Sequence, residues 1–166
     1  MNRLPEIDFL RKVPLFHDVE ESVLRELWYA FVERRLRKGE VLFRMGDHGE
    51  ELFIIKQGSI IVSRPVTGRV EQVLSRLESG EAFGEMSVFG DQRHRSATCQ
   101  ADVDTLLYSL DRDSLNRFVS ASPLTAARFF QQMAQVAFKR LRDSSDLVAE
   151  VTRWGLEATG LDVEHT

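Results

Sequence analysis

Apolar residues step at helical spacing near the amino end, alternate through the middle and return to helical spacing at the far end. In HDVEESVLRELWYAFVERR, Val19, Val23, Leu24, Leu27 and Phe31 fall on one face, which predicts an amphipathic helix. Asp18 stands ahead of it as an N-cap, with Glu21 three residues on as in a capping box. DFLRKVPLF before it is a short turn broken at Pro14. The middle reads as short strands. GEVLFRMGD alternates Val41, Phe43 and Met45, then turns at Gly46-Asp47. ELFIIKQGSIIVSR is two strands around Gly58-Ser59, a hairpin turn signal. VEQVLSRLESGEAFGE, SATCQA and DTLLYSLD supply three more. Asp111 or Asp113 then caps DRDSLNRFVSA, and Ser122-Pro123 opens a long helix. Within that helix Phe130, Ala134, Ala137, Leu141, Ser144, Val148 and Val151 step by fours and threes, a heptad-like seam that either packs against the chain's own roll or self-associates.

Short strands punctuated by Gly39, Gly46, Gly58, Gly68 and Gly80 predict a jelly roll or barrel. The expected fold class is α+β, mainly β. One domain spans residues 1–151, with N-terminal helices about 6–36, a β-roll about 37–110 and C-terminal helices about 111–151. Residues 152–166 are expected to form a short tail.

Composition narrows the function. A chain of 166 residues can bury a real core as one domain. A net charge of −4 argues against a nucleic-acid-binding face, which needs a basic surface. The amino end lacks a secretory apolar run, and no stretch approaches the ~20 apolar residues of a membrane span. The single cysteine, Cys99, excludes an internal disulfide and fits a cytoplasmic location. It lies in an alternating stretch (Ala97, Cys99, Ala101), which predicts a buried structural thiol. Trp28 belongs to an apolar helix face and reads as core, whereas Trp154 near the tail reads as a docking or lid residue. The basic run ERRLRK, Glu33 to Lys38, reads as a solvated strand edge.

The chemistry concentrates in FGEMSVFGDQRHRSATCQA, residues 83–101. Gly84 lets the backbone approach a ligand closely, and EMSVF has room for about one helical turn before Gly90. Amides at that helix start suit an anion. Arg95 adds a planar, permanently charged fork that matches two phosphate oxygens. Ser96 and Ala97 are small enough to let their amides join. Glu85 is acceptor-only when ionised, so it suits a hydroxyl rather than a phosphate. Two readings stand: Glu85 and Arg95 pair with each other on the surface, or they address the two ends of a sugar phosphate.

Phe83-Gly84-Glu85, the apolar Met86 to Phe89, a short loop and Arg95-Ser96-Ala97 resemble the phosphate-binding cassette of the cyclic nucleotide-binding domain family. The resemblance extends over roughly residues 8–150, and the Glu-to-Arg interval is most similar to the bacterial catabolite activator branch. It implies a cyclic nucleotide-binding-type jelly roll flanked by N-terminal helices and a long C-terminal helix. The implied ligand is cyclic AMP, or less favourably cyclic GMP, with no cofactor or metal and no catalysis. Glu85 would accept from the ribose 2′-hydroxyl. Arg95 would pair with the cyclic phosphate, helped by Ser96 and by amides near Gly84. Phe83, Met86, Ser87 and Ala97 complete the cassette. In KRLRDSSD, the resemblance places the Ser144 and Ser145 hydroxyls with the base, one from each subunit of a homodimer, and Arg140 is a further expected ligand-binding residue. A protein effector is the expected downstream partner.

The chain departs from the pattern at His94, where many members have proline. A histidine beside a phosphate can carry charge near neutral pH, or simply face solvent. The activator branch also continues into a helix-turn-helix domain, for which no room follows residue 150. The chain is therefore expected to be a lone sensor module or a fragment of something larger. A metal-dependent cupin enzyme would need clustered ligands, but His17, His48, His94 and His165 are scattered. A degenerate domain kept as a ligand-independent interaction platform is the second reading; loss of Glu85 or Arg95 would signal it, and both are present.

Overall fold

The apolar runs in the middle of the chain become strands, several with both faces covered. The computed structural model describes residues 4–67, 70–89 and 93–159. Its strands are β1 (Val32–Leu36), β2 (Val41–Phe43), β3 (Glu51–Gln57), β4 (Ile60–Thr67), β5 (Val70–Leu77), β6 (Ala82–Phe83), β7 (Thr98–Ala101) and β8 (Thr105–Asp111). They form two antiparallel four-stranded sheets, ordered β1-β8-β3-β6 and β2-β7-β4-β5. The pairs β1–β8, β2–β7, β3–β6 and β4–β5 nest around the central β4–β5 connection, the pairing of a jelly roll. The fold is α+β and mainly β, as the sequence predicts.

Phe53, Ile55, Ile60, Leu77, Phe83, Cys99 and Leu107 fill the roll between the sheets. The other face of the first sheet is also buried, which is why β3 and β8 read as continuous apolar runs rather than as alternation. Tyr108 on that face meets Trp28 edge-on at 5.1 Å and Phe9 at 6.0 Å between ring centroids. Those partners come from the N-terminal helices α1 (Ile7–Leu10) and α2 (Glu21–Trp28). The buried Trp28 and Cys99 match their sequence readings.

Three expectations need correction. The first helix does not run on toward Arg35. It stops at Trp28, and Val32–Leu36 pairs instead with β8, from Val32↔Ser109 to Leu36↔Thr105. The resulting strand is a solvated edge, as read for the basic run, with Arg34 on Glu51 and Arg35 on Glu33, both at 2.7 Å. Asp18 is not the N-cap. Glu20 holds that position and makes no side-chain cap bond. Asp18 accepts instead from Gln132 Nε2 at 3.1 Å and pairs with His17, and these bonds hold its carboxyl below the usual range. Gly58-Ser59 does not close a hairpin either, because β3 and β4 lie in different sheets. Their apolar residues face one interior from opposite sides, so the turn carries the chain from sheet to sheet. The turn at Gly68, the helix end at Gly90 and the side chain of Val151 lie outside the described residues.

Helix α4 (Arg112–Ala121) begins at Asp111, whose carboxylate accepts from the Ser114 N–H at 2.8 Å and the Ser114 hydroxyl at 3.0 Å. Desolvation raises the Asp111 pKa, but the Ser114 bonds and the nearby Arg117 outweigh it and hold the pKa down. A depressed folded-state pKa means that the cap contributes fully above the unfolded pKa and is lost as pH falls through the folded one. Asp111→Ala should therefore cost about 1 kcal/mol at neutral pH. Urea titrations should show that difference closing below about pH 4.

The chain divides into two compact units, Met1–Gln132 and Met133–Thr166. Helix α5 (Pro123–Thr159) starts in the first, where Ser122 Oγ accepts from the Thr125 N–H at 3.4 Å, and makes up the described part of the second. It continues past residue 151, where the helical segment was expected to end. The seam residues Phe130, Ala134, Ala137, Leu141, Ser144 and Val148 are all exposed. Among the described residues no helix is long and apolar enough to cross a membrane.

Candidate functional site

Residues 84–97 bridge the two sheets, since Phe83 ends β6 in one and Thr98 begins β7 in the other. Between them lies the short helix α3 (Glu85–Phe89). Gly84 leads into it with φ of +86°. A Cβ there would come within 2.8 Å of Arg95 Nη1 and 2.9 Å of the Glu51 carbonyl, so the position demands glycine twice over.

Arg95 is the centre of the site. It is 5% exposed, an unusual burial for a permanent cation. Its Nη1 donates to the Ser87 hydroxyl at 2.7 Å, the Glu51 carbonyl at 3.0 Å and the Gly84 carbonyl at 3.3 Å. Its guanidinium carbon lies 4.2 Å from the Phe43 ring centroid and 5.3 Å from that of Phe53, a cation–π seat. Its Nε is buried without a hydrogen-bond partner. Desolvation lowers the Arg95 pKa, against the fields of Glu51, Cys99, Asp47 and Glu85, yet an arginine stays charged at any physiological pH. The site thus holds a desolvated, positioned cation with a spare donor, and an anion is its natural complement.

The surface ion-pair reading of Glu85 and Arg95 loses its basis. The arginine's hydrogen bonds run to two carbonyls and a hydroxyl, and the half-buried Glu85 acts on it only through space. Of the other expected site residues, Phe83 is core, stacked on Phe53 at 5.4 Å. Ser87 is buried and donates to the Gly84 carbonyl at 3.1 Å. Met86 and Ser96 are exposed, and the Ser96 hydroxyl lies 3.4 Å from Met86 Sδ, while Ala97 is buried. Residues 83–87 and 95–97 thus come together. Arg140, Ser144 and Ser145 belong to the second unit, where the Ser145 hydroxyl donates to the Leu141 carbonyl at 2.9 Å. His94 is exposed. Its Nδ1 lies 3.0 Å from the Gly46 carbonyl, and it forms an isolated bridge with His48.

The sequence reading missed the wall behind the arginine. Gly49 packs flat on it. A Cβ there would overlap Nε and Cζ and stand 2.8 Å from Cδ. Backbone bonds from Arg95 N–H to Asp47 O (2.8 Å) and from Gly46 N–H to Arg95 O (2.8 Å) lock the loop to the cassette. The available signal was a second glycine three residues after a turn glycine, in GDHG.

The family described as "Cyclic nucleotide-binding domain" matches residues 33–122, from β1 through α4. The chain belongs to the cyclic nucleotide-binding domain family. Relatives of this cyclic nucleotide-binding domain include the Cyclic AMP receptor protein of Thermus thermophilus, 33% identical over 79% of this chain and 58% of that protein. A crystal structure of a cyclic nucleotide-binding domain from Methylobacillus flagellatus superposes with a TM-score of 0.74 at 26% identity, over 87% of this chain and 80% of that one. The regulatory domain of Toxoplasma gondii PKA, solved with cAMP, gives a TM-score of 0.63 at 30% identity, over 68% of this chain and 42% of that one. The chain therefore spans little more than half of the Thermus relative. The cassette that the sequence singles out lies inside the matched region, and so do Gly49, Phe43 and Phe53.

Proposed function

We propose that this cyclic nucleotide-binding domain is a cytoplasmic sensor of cyclic AMP. The observation that carries the reading is Arg95: buried, held by Ser87, Gly84 and Glu51, and with its Nε unpaired. A cyclic phosphate is the natural complement of that desolvated, positioned charge. Glu85 accepts from the ribose 2′-hydroxyl, and Ser96 and the amides near Gly84 add to the phosphate. Ser144 and Ser145 are assigned to the base, and Arg140 to the ligand. Cyclic AMP is preferred over cyclic GMP because the Thermus relative is named for it and the Toxoplasma domain was solved with it.

Signalling is a population shift: ligand and one position of the C-terminal helix stabilise each other. Support comes from Phe89, which closes α3 and packs edge-on against Phe130 at 5.3 Å and beside Phe129 at 6.1 Å, at the start of α5. A cassette that tightens on its ligand pushes on those rings. The exposed seam of α5 supports a homodimer that reads the shift out to a protein effector.

Calorimetric titration with cyclic AMP, cyclic GMP and linear AMP tests the reading. Saturating cyclic AMP should bind at one site per chain and stabilise the fold by about 2.7 kcal/mol at a hundredfold excess over Kd. Linear AMP should bind far more weakly. No heat with either cyclic nucleotide overturns the sensor, and sedimentation of the same sample checks the dimer.

A further inference from the structure

Arg112, the first residue of α4, reaches back to the cassette. Its Nη2 donates to the Ser87 carbonyl at 3.3 Å, and its backbone N–H donates to the Glu50 carbonyl at 2.9 Å. Ser87 is therefore gripped from two sides, by Arg112 at its carbonyl and by Arg95 Nη1 at its hydroxyl, 2.7 Å away. Glu50 likewise precedes Glu51, whose carbonyl takes another bond from Arg95 Nη1. Arg112 is thus bonded directly behind two of the three oxygens that hold the anion-binding arginine. Helix stability does not explain an arginine here. A cation in the first turn meets the positive end of the helix dipole. The Arg112 Nε is moreover buried without a partner, which costs free energy. Its bond to Ser87 is the contact that gives the residue a purpose.

We infer that Arg112 is a positioning residue for the cyclic nucleotide site: it fixes Ser87 so that the Ser87 hydroxyl holds Arg95 in place for the phosphate. It rests on the cassette being the nucleotide site, and it adds a direct link from α4 to that site. Neither the Glu85 carboxylate nor the base is involved.

Two measurements test it, one of them without ligand. The Nε–H signal of Arg95 can be followed by nitrogen–proton NMR in the unliganded protein. In Arg112→Gln it should shift and exchange faster with solvent, and Arg112→Lys, which restores a cationic donor, should bring it partly back. An unchanged Arg95 signal in a folded Arg112→Gln protein overturns the inference, whatever the unmutated chain binds. In calorimetry with cyclic AMP, Arg112→Gln should weaken binding roughly tenfold, the scale of one lost charge-assisted bond. Combined with Ser87→Ala, the loss should be much less than the product of the two single losses, because both act through Ser87. Losses that multiply independently overturn it, since a merely structural arginine would behave that way. If the unmutated chain binds no cyclic nucleotide, the sensor reading fails, and the NMR result still decides whether Arg112 positions Arg95.

Discussion

Arg95→Leu is expected to abolish cyclic AMP binding at micromolar ligand while the fold survives. In the proposed complex the phosphate takes charge-assisted bonds from this side chain, worth roughly 1.5–3 kcal/mol each. Losing two weakens binding by about a hundredfold or more, at ~1.4 kcal/mol per decade. Survival of the fold follows from the surroundings. The guanidinium is flanked by Phe43 and Phe53, so leucine, though shorter, sits against an apolar wall, and the Gly84 carbonyl keeps its bond from the Ser87 hydroxyl. Arg95→Lys keeps the charge without the fork and should fall between the two. Titration calorimetry beside a thermal melt checks this. Unaltered affinity in the leucine variant would remove the phosphate role.

Phe129→Ala should destabilise the protein by about 3–5 kcal/mol, the range for truncating a buried phenylalanine. Phe129 is fully buried at the start of α5. It touches Phe16 at 5.9 Å, Phe118 at 5.4 Å and Phe89 at 6.1 Å, from the N-terminal segment, α4 and the cassette helix in turn. The three rings belong to three different segments, so the truncation removes contacts to all of them at once. Urea unfolding should show a lower midpoint with the slope retained. A change below ~1 kcal/mol would mean that the start of α5 is not part of the cooperative core.

The roll was legible because strands carry their signature locally. Alternation in GEVLFRM and the apolar runs of ELFII and TLLYSL declare strands whatever they pair with. The helix end at Trp28 was not legible: Phe31 continues the helical stripe, no glycine or proline interrupts Tyr29 to Phe31, and β8 decides from far along the chain. Gly58-Ser59 announced a turn, but a turn residue does not say which sheet the next strand joins. The cassette was legible because the roles proposed for Gly84, Glu85 and Arg95 each call for that residue type. Its back wall was not. Gly49, Phe43 and Phe53 meet Arg95 across some forty to fifty residues of sequence, and nothing in their local pattern records that contact. Arg112 is hidden for the same reason, since in DRDS it reads as an ordinary residue of a helix start.

Cys99 gives the roll a built-in reporter. It is the chain's one thiol, and it is sealed among Phe53, Phe83 and Leu107 between the sheets. A thiol reagent can reach it only when the sheets part, so under conditions of fast reclosing the labelling rate measures the free energy of that opening. Arg95 and Cys99 lie on the same short run leading into β7. A nucleotide that clamps the first should slow labelling of the second, and one colourless chemical clock then times the loosening and tightening of the whole barrel.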